Sequence, residues 1–166
     1  MGGKNGLGLD LKLRLNRLNK IYPFFIVLIR IVLGIIFLIA SIDKISDPAG
    51  FARDISNYHF VPFGLENTIA IVLPWLELFI GLGLILGIMI DGASVISGIL
   101  LILFIILIFQ AMIRGFNIDC GCGLKEGEMV GWRKIFEDII LFIGSYLVWV
   151  RKVKVFEFFP RTDLSN

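Results

Sequence analysis

The chain has little with which to hold a metal. Its 166 residues include two cysteines, Cys120 and Cys122, and one histidine, His59, in a different segment. Two thiolates leave a structural zinc about two ligands short of its usual four. Charge is also sparse, at 18% Asp, Glu, Lys and Arg, and the formal net charge of +2 is too small to argue for nucleic acid. From Ala93 to Ile113 there is no charged residue at all. No A-x-A site follows the first apolar run, which is longer than the ~7–15-residue core of a signal peptide, so that run is expected to stay in the mature chain.

What the sequence has in excess is apolar surface. A soluble domain is about 45–50% apolar with glycine counted. Here the fraction is 57% without it, mean hydropathy is +0.89, and there are 15 phenylalanines. One soluble core of this length would not hide them.

Four apolar stretches account for the excess. They run from Ile21 to Ile42 with one charge (Arg30), from Ile69 to Ile90 with one (Glu77), from Ala93 to Ile113, and from Ile135 to Val150. The first three are near the ~20 residues a helix needs to cross the hydrocarbon core. The fourth is shorter, carries Glu137 and Asp138 near its start, and is extended by Val130 and Trp132, with Trp149 as an interfacial anchor. Backbone groups in lipid must be satisfied internally, which makes these segments helices. The expected fold is an all-α membrane protein: a four-transmembrane-helix bundle with helices near 21–42, 69–90, 93–113 and 132–150. A basic segment (1–20) precedes this 21–150 domain and a basic tail (151–166) follows it.

Orientation follows from Lys and Arg. Lys4, Lys12, Arg14, Arg17 and Lys20 lie before the first span, and Arg151, Lys152, Lys154 and Arg161 after the last, nine in all. The opposite side has six: Lys44, Arg53, Arg114, Lys125, Arg133 and Lys134. Positive-inside places both termini in the cytoplasm of a cell (inner or plasma) membrane and both long loops outside. Asp91-Gly92 predicts a tight hairpin between the second and third spans. Gly83 with Gly87, and Ser94 with Gly98, are small-xxx-small pairs suited to close helix packing, and Pro74 should kink the second span.

In the first outer loop, Asp47-Pro48 reads as an N-cap followed by proline at the first helical position. Phe51, Ile55 and Tyr58 then form one apolar stripe, predicting a short amphipathic helix that ends by Pro62 and Gly64. In the N-terminal segment, Leu7 to Leu15 alternate like a strand, while Leu11, Leu15 and Leu18 fit a basic interfacial helix. The helix is favoured, because no strand partner is present.

The candidate chemistry centres on Asp119-Cys120-Gly121-Cys122-Gly123. Glycines permit the backbone angles of a tight turn, and a disulfide closing so short a ring is of the labile, exchangeable kind. Three other readings stand beside redox exchange: a structural staple, a soft-metal site for Cu(I) or Zn(II), or inert thiols. A staple across so short a loop would contribute little entropically.

The order of features resembles the MauE branch of the DoxX-like membrane proteins. The residues that carry the likeness are Arg30-x3-Gly34, Ala40-x3-Lys44-x2-Asp47-Pro48-x2-Phe51, and Ile55-x2-Tyr58-x3-Pro62. They continue with Pro74-Trp75-Leu76-Glu77-Leu78 and Gly81, Asp119-Cys120-Gly121-Cys122, and Trp132 with Asp138. Gly123-Leu124 stands where that family usually has Phe-Gly. The resemblance implies a helper in envelope thiol chemistry, linked to methylamine dehydrogenase maturation and working beside a thioredoxin-like partner. The DoxX-like side implies membrane quinone as an electron acceptor.

Charges inside a membrane usually face the bundle interior and find partners. Taken from the ends of their apolar runs, Arg30 and Glu77 fall at similar depth and are expected to pair, to fix the bundle or to serve function. Lys44, Gln110, Glu137 and Asp138 fall near the outer helix ends, beside the cysteines. There Lys44 would favour a cysteine thiolate, and Asp138 or Glu137 would pass protons. The expected function is thiol-disulfide electron transfer through Cys120 and Cys122, with membrane quinone as cofactor and no metal. The alternatives are a small transporter or soft-metal-handling protein, with Arg30 and Glu77 lining a path, or a scaffold that positions a partner.

Overall fold

The computed structural model describes residues 4–58, 61, 62, 64–114, 131–151, 157 and 158, with side chains from Tyr22 onward. Five helices follow in order: α1 (Lys4–Ser46), α2 (Pro48–Asn57), α3 (Glu66–Leu86), α4 (Ile90–Ile113) and α5 (Trp132–Trp149). Neighbours pack as a ring, α1 on α3, α3 on α4, α4 on α5 and α5 on α1, with α2 laid against α3 and α1.

The ring is apolar on both sides. Inside, Leu33, Phe37, Ile80, Leu84, Leu100, Leu101 and Val148 form one core. Outside, Phe24 is 71% exposed, Phe79 65% and Ile140 67%. Apolar surface this extensive on the outer face needs a cover. Among the described residues three helices are long and apolar enough to cross a bilayer: Tyr22–Ser46, Glu66–Leu86 and Ile90–Ile113. Lipid is the cover they fit.

Sequence signals and structure part company at the helix ends. α1 is one helix of 43 residues, with Pro23 inside it. The basic N-terminal segment is therefore helical as expected, but it runs straight into the first span. At 1.5 Å per residue α1 is about 65 Å long, twice the ~30 Å hydrocarbon core. The expected hairpin at Asp91-Gly92 lies instead at 87–89. Gly87 sits at φ +79°, and Ile88 N–H donates to Gly83 O at 2.9 Å, closing α3 in a Schellman-type cap. Met89 is also left-handed, at φ +49°. Asp91 then falls in the first turn of α4, where a carboxylate complements the helix dipole. That placement outweighs the turn propensity of Asp-Gly.

α2 forms as its sequence predicts. Asp47 Oδ1 accepts from Gly50 N–H at 2.8 Å, and Pro48 opens the helix. Tyr58 caps the C-terminal end, before Pro62. Of the small-residue pairs, Ser94 and Gly98 face α5. Ser145 Oγ donates to Ser94 O at 2.7 Å, and Ser97 and Ser145 share a 2.6 Å hydrogen bond.

The closest approach of α1 and α3 uses two other glycines. A Cβ on Gly34 would come 2.9 Å from Gly81 O, and one on Gly81 would come 2.8 Å from Gly34 O. The two backbones touch there, and this contact sets the register of every charge on the two helices.

Candidate functional site

The register separates Arg30 from Glu77. Each lies four residues before the glycine at the crossing, but α1 and α3 run in opposite directions. The two residues therefore diverge to either side, by about 6 Å each along the axis. Glu77 is instead held by Lys44, whose Nζ donates to Oε1 at 2.6 Å and Oε2 at 2.8 Å. Lys44 lies higher on α1, but helical side chains lean toward the helix N-terminus, and its long stem hangs back to the level of Glu77. The expected Arg30–Glu77 pair is thus replaced by Lys44–Glu77. The apolar runs marked neither true helix boundary: α1 continues to Ser46, and α3 starts at Glu66. Arg30 is buried at 5% exposure, and its charged neighbours are Glu157 and Arg151, toward the α3–α4 turn.

Around the Lys44–Glu77 pair the helices leave a pocket with mostly apolar walls and a few charged groups. Lys134 and Asp138, one turn apart on α5, are 7% and 4% exposed and face the same space. The cavity is about 40 Å³ and partly open, walled by Ile36, Ala40, Leu101, Phe104 and Leu141 among others. Lys44 Nζ lies 5.2 Å from the ring centroids of both Phe51 and Phe104. An aromatic face at that distance is attracted to the ammonium charge. Phe51 reaches it from α2, so the amphipathic helix is a cover for the pair. Lys134 Nζ makes a longer contact, 3.4 Å, with Glu137, which Arg133 also meets at 3.3 Å. Asp138 Oδ2 is buried and has no hydrogen-bond partner among the described residues. At the rim, the Tyr58 phenol is pushed up to about 12 by burial, then by Asp54 and Asp138.

The structure thus brings together Lys44, Glu77 and Asp138 from three separate helices and leaves Arg30 out. Cys120 and Cys122 lie outside the described residues. Sequence reading missed Lys134 as an interior residue, taking it for a loop cation. The signal was present, since Lys134 and Asp138 at i and i+4 must share a helix face.

A second charged cluster lies at the other end. Arg151 donates from Nη1 to Asp91 Oδ1 at 2.7 Å and to Val148 O at 2.7 Å, and from Nε to Glu157 Oε1 at 2.6 Å. Phe158 N–H donates to Gly87 O at 3.1 Å. The chain after α5 is thereby strapped to the α3–α4 turn. Burial opposes the Arg151 charge, but Glu157 and Asp91 more than reverse this and hold its pKa above the usual guanidinium value.

A ring of apolar helices with lipid-facing sides and buried charge toward both ends defines a multi-pass helical membrane protein. The family of the methylamine utilisation protein MauE matches residues 22–150, which takes in all five helices except the start of α1, and the chain belongs to that family. It is 29% identical over 125 residues to the methylamine utilization protein MauE of Paracoccus denitrificans, covering 73% of this chain and 66% of that one. It is 32% identical over 136 residues to the protein of the same name from Methylorubrum extorquens, covering 79% and 72%. The chain thus spans about two thirds of the length of these relatives. No solved structure matches it.

Proposed function

We propose that this chain is a membrane component of extracytoplasmic thiol-disulfide exchange, serving methylamine utilisation as the names of its relatives indicate. The observation that carries the reading is positional. The segment holding Cys120 and Cys122 leaves α4 at Arg114 and rejoins at Gly131, directly before α5. That is the end of the ring where Lys44, Glu77, Lys134 and Asp138 are buried. In this reading α5 is a fourth span, its first two turns made polar by the cluster it completes. Both termini face the cytoplasm, as the excess of Lys and Arg on that side supports.

The exchange is balanced within the two proteins. A thiolate of Cys120 or Cys122 attacks one sulfur of a partner's disulfide, forming a mixed disulfide and releasing the partner's other sulfur as thiolate. The second cysteine of the pair then attacks the first, closing Cys120–Cys122 and freeing the partner as dithiol. Two electrons pass from this chain to the partner, and the reverse sequence returns them. A thioredoxin-like protein is the partner this chemistry fits, and Lys44 and Asp138 are buried at the end of the ring where the cysteine segment leaves α4 and rejoins at α5. A quinone ring does not fit the cavity. At about 40 Å³ it is well below the ~150 Å³ known to admit benzene.

Trapping tests the reading. Cys122→Ser or Cys120→Ser should accumulate a reductant-sensitive mixed disulfide with a partner, because the resolving thiol is gone. One equivalent of bound Cu(I) or Zn(II), lost in either variant and with no trapped partner, would overturn it in favour of metal handling.

A further inference from the structure

Among the described residues two carboxylates line the cavity, Glu77 and Asp138, and a third, Glu137, stands beside it; the three are not equivalent. Glu77 is satisfied twice by Lys44. Glu137 is partly exposed and meets Arg133 and Lys134. Asp138 is 4% exposed, lines the cavity, and presents an Oδ2 with no partner among the described residues. An ionised carboxylate buried in that way is costly, and it is relieved by a proton or by a water molecule. The space for water is there, since a cavity needs only ~10–15 Å³ to hold one, against about 40 Å³ here.

A buried water also needs ~2–4 polar partners. Asp138 supplies an acceptor, and Lys134 and Lys44 have ammonium protons left over, since each ammonium carries about three. The groups facing Asp138 are Lys44 from α1, Tyr58 at the end of α2, Glu77 from α3, and Lys134 and Glu137 from its own helix. From α4 the facing residues are apolar, Leu101 and Phe104. Toward the other end, Phe37, Leu33, Leu84 and Leu100 belong to one buried apolar core.

We propose that the cavity is a hydrated proton-exchange site in which Asp138 takes and releases the proton and the Lys44–Glu77 pair stays fixed. The step is a transfer between water and one carboxylate oxygen: an O–H bond forms at Oδ2 as one in hydronium breaks. It stands on this geometry alone and needs no cysteine.

Infrared spectroscopy of the full chain in lipid nanodiscs, with 13C-labelled aspartate, reads it directly. A protonated-carboxyl carbonyl band that shifts with the label should grow as pH falls and be lost in Asp138→Asn. Ala40→Leu, which fills the cavity, keeps the test decisive if Asp138→Asn does not fold. Expelling the water should leave the band but abolish its response to pH. An aspartate band unchanged in Asp138→Asn, or one that titrates in Ala40→Leu as in the wild type, overturns the proposal.

Discussion

Replacing Lys44 by methionine should destabilise the bundle severely, and replacing Glu77 as well should restore much of what is lost. The pair is buried, with side chains 5% and 1% exposed and an Nζ–Oε1 distance of 2.6 Å. At an effective dielectric near 20, two unit charges about 2.7 Å apart attract by ~6 kcal/mol. Desolvation takes back several kcal/mol per ion, so the intact pair adds little net stability. Removing one partner leaves the other charge buried alone, at ~3–5 kcal/mol. Lys44→Met and Glu77→Leu should each cost that much, while the double variant should lie within ~2 kcal/mol of wild type. Unfolding in mixed micelles by added SDS reads the four corners of the cycle, and membrane yield stands in where a single variant does not accumulate. Arg30→Leu should combine with Glu77→Leu additively to within ~0.5 kcal/mol, as for separated sites. Additive Lys44 and Glu77 effects, or strong Arg30–Glu77 coupling, would refute the register derived from Gly34 and Gly81.

That register has its own test. Gly34→Ala should cost ~1–3 kcal/mol by overpacking, because its Cβ would meet Ile85 Cγ1 at 2.6 Å and the Gly81 carbonyl at 2.9 Å, whereas Gly92→Ala meets nothing within 4 Å and should be near neutral. Tyr58 should ionise at about 12, against ~10 for a free phenol, read as the phenolate absorbance missing in Tyr58→Phe. The folded state then keeps that proton longer than the unfolded chain, so stability should fall as pH rises from ~10 toward that value and be unaffected by Tyr58 below it. An impermeant maleimide applied to intact cells after reduction should label Cys120 or Cys122, and labelling only after lysis would reverse the proposed orientation.

Composition made the helices legible, because long charge-poor runs have one solution in lipid. The cap of α2 was equally plain, since Asp-Pro carries its own local geometry. What the sequence could not convey was register. The ends of apolar runs are a poor measure of depth, because α1 continues past Ile42 to Ser46, and α3 begins at Glu66 rather than Ile69. Small shifts at both ends moved Glu77 away from Arg30 and toward Lys44. The deciding contact, Gly34 on Gly81, joins residues distant in sequence and leaves no local trace. Lys134 was misplaced for a related reason. A cation one turn into a helix reads as a solvated end unless the cavity it faces is known.

The two charged clusters make different demands on the fold. At the α3–α4 turn, Arg151 is tied by Asp91, Glu157 and the Val148 carbonyl, and it straps the chain after α5 in place. Its Nη2 is buried without a partner among the described residues, but a guanidinium does not give up its proton in a protein. That leftover donor is a fixed structural cost. Asp138 carries a similar cost in a group that can change its charge, beside a cavity with room for water. Replacing a buried ion pair by apolar residues is often neutral or stabilising, so stability alone gives no reason to bury Lys44, Glu77, Lys134 and Asp138 together. The arrangement is intelligible if one member must exchange a proton beside a Lys44–Glu77 pair that satisfies itself. Asp138 is the member whose bonding leaves it free to do so.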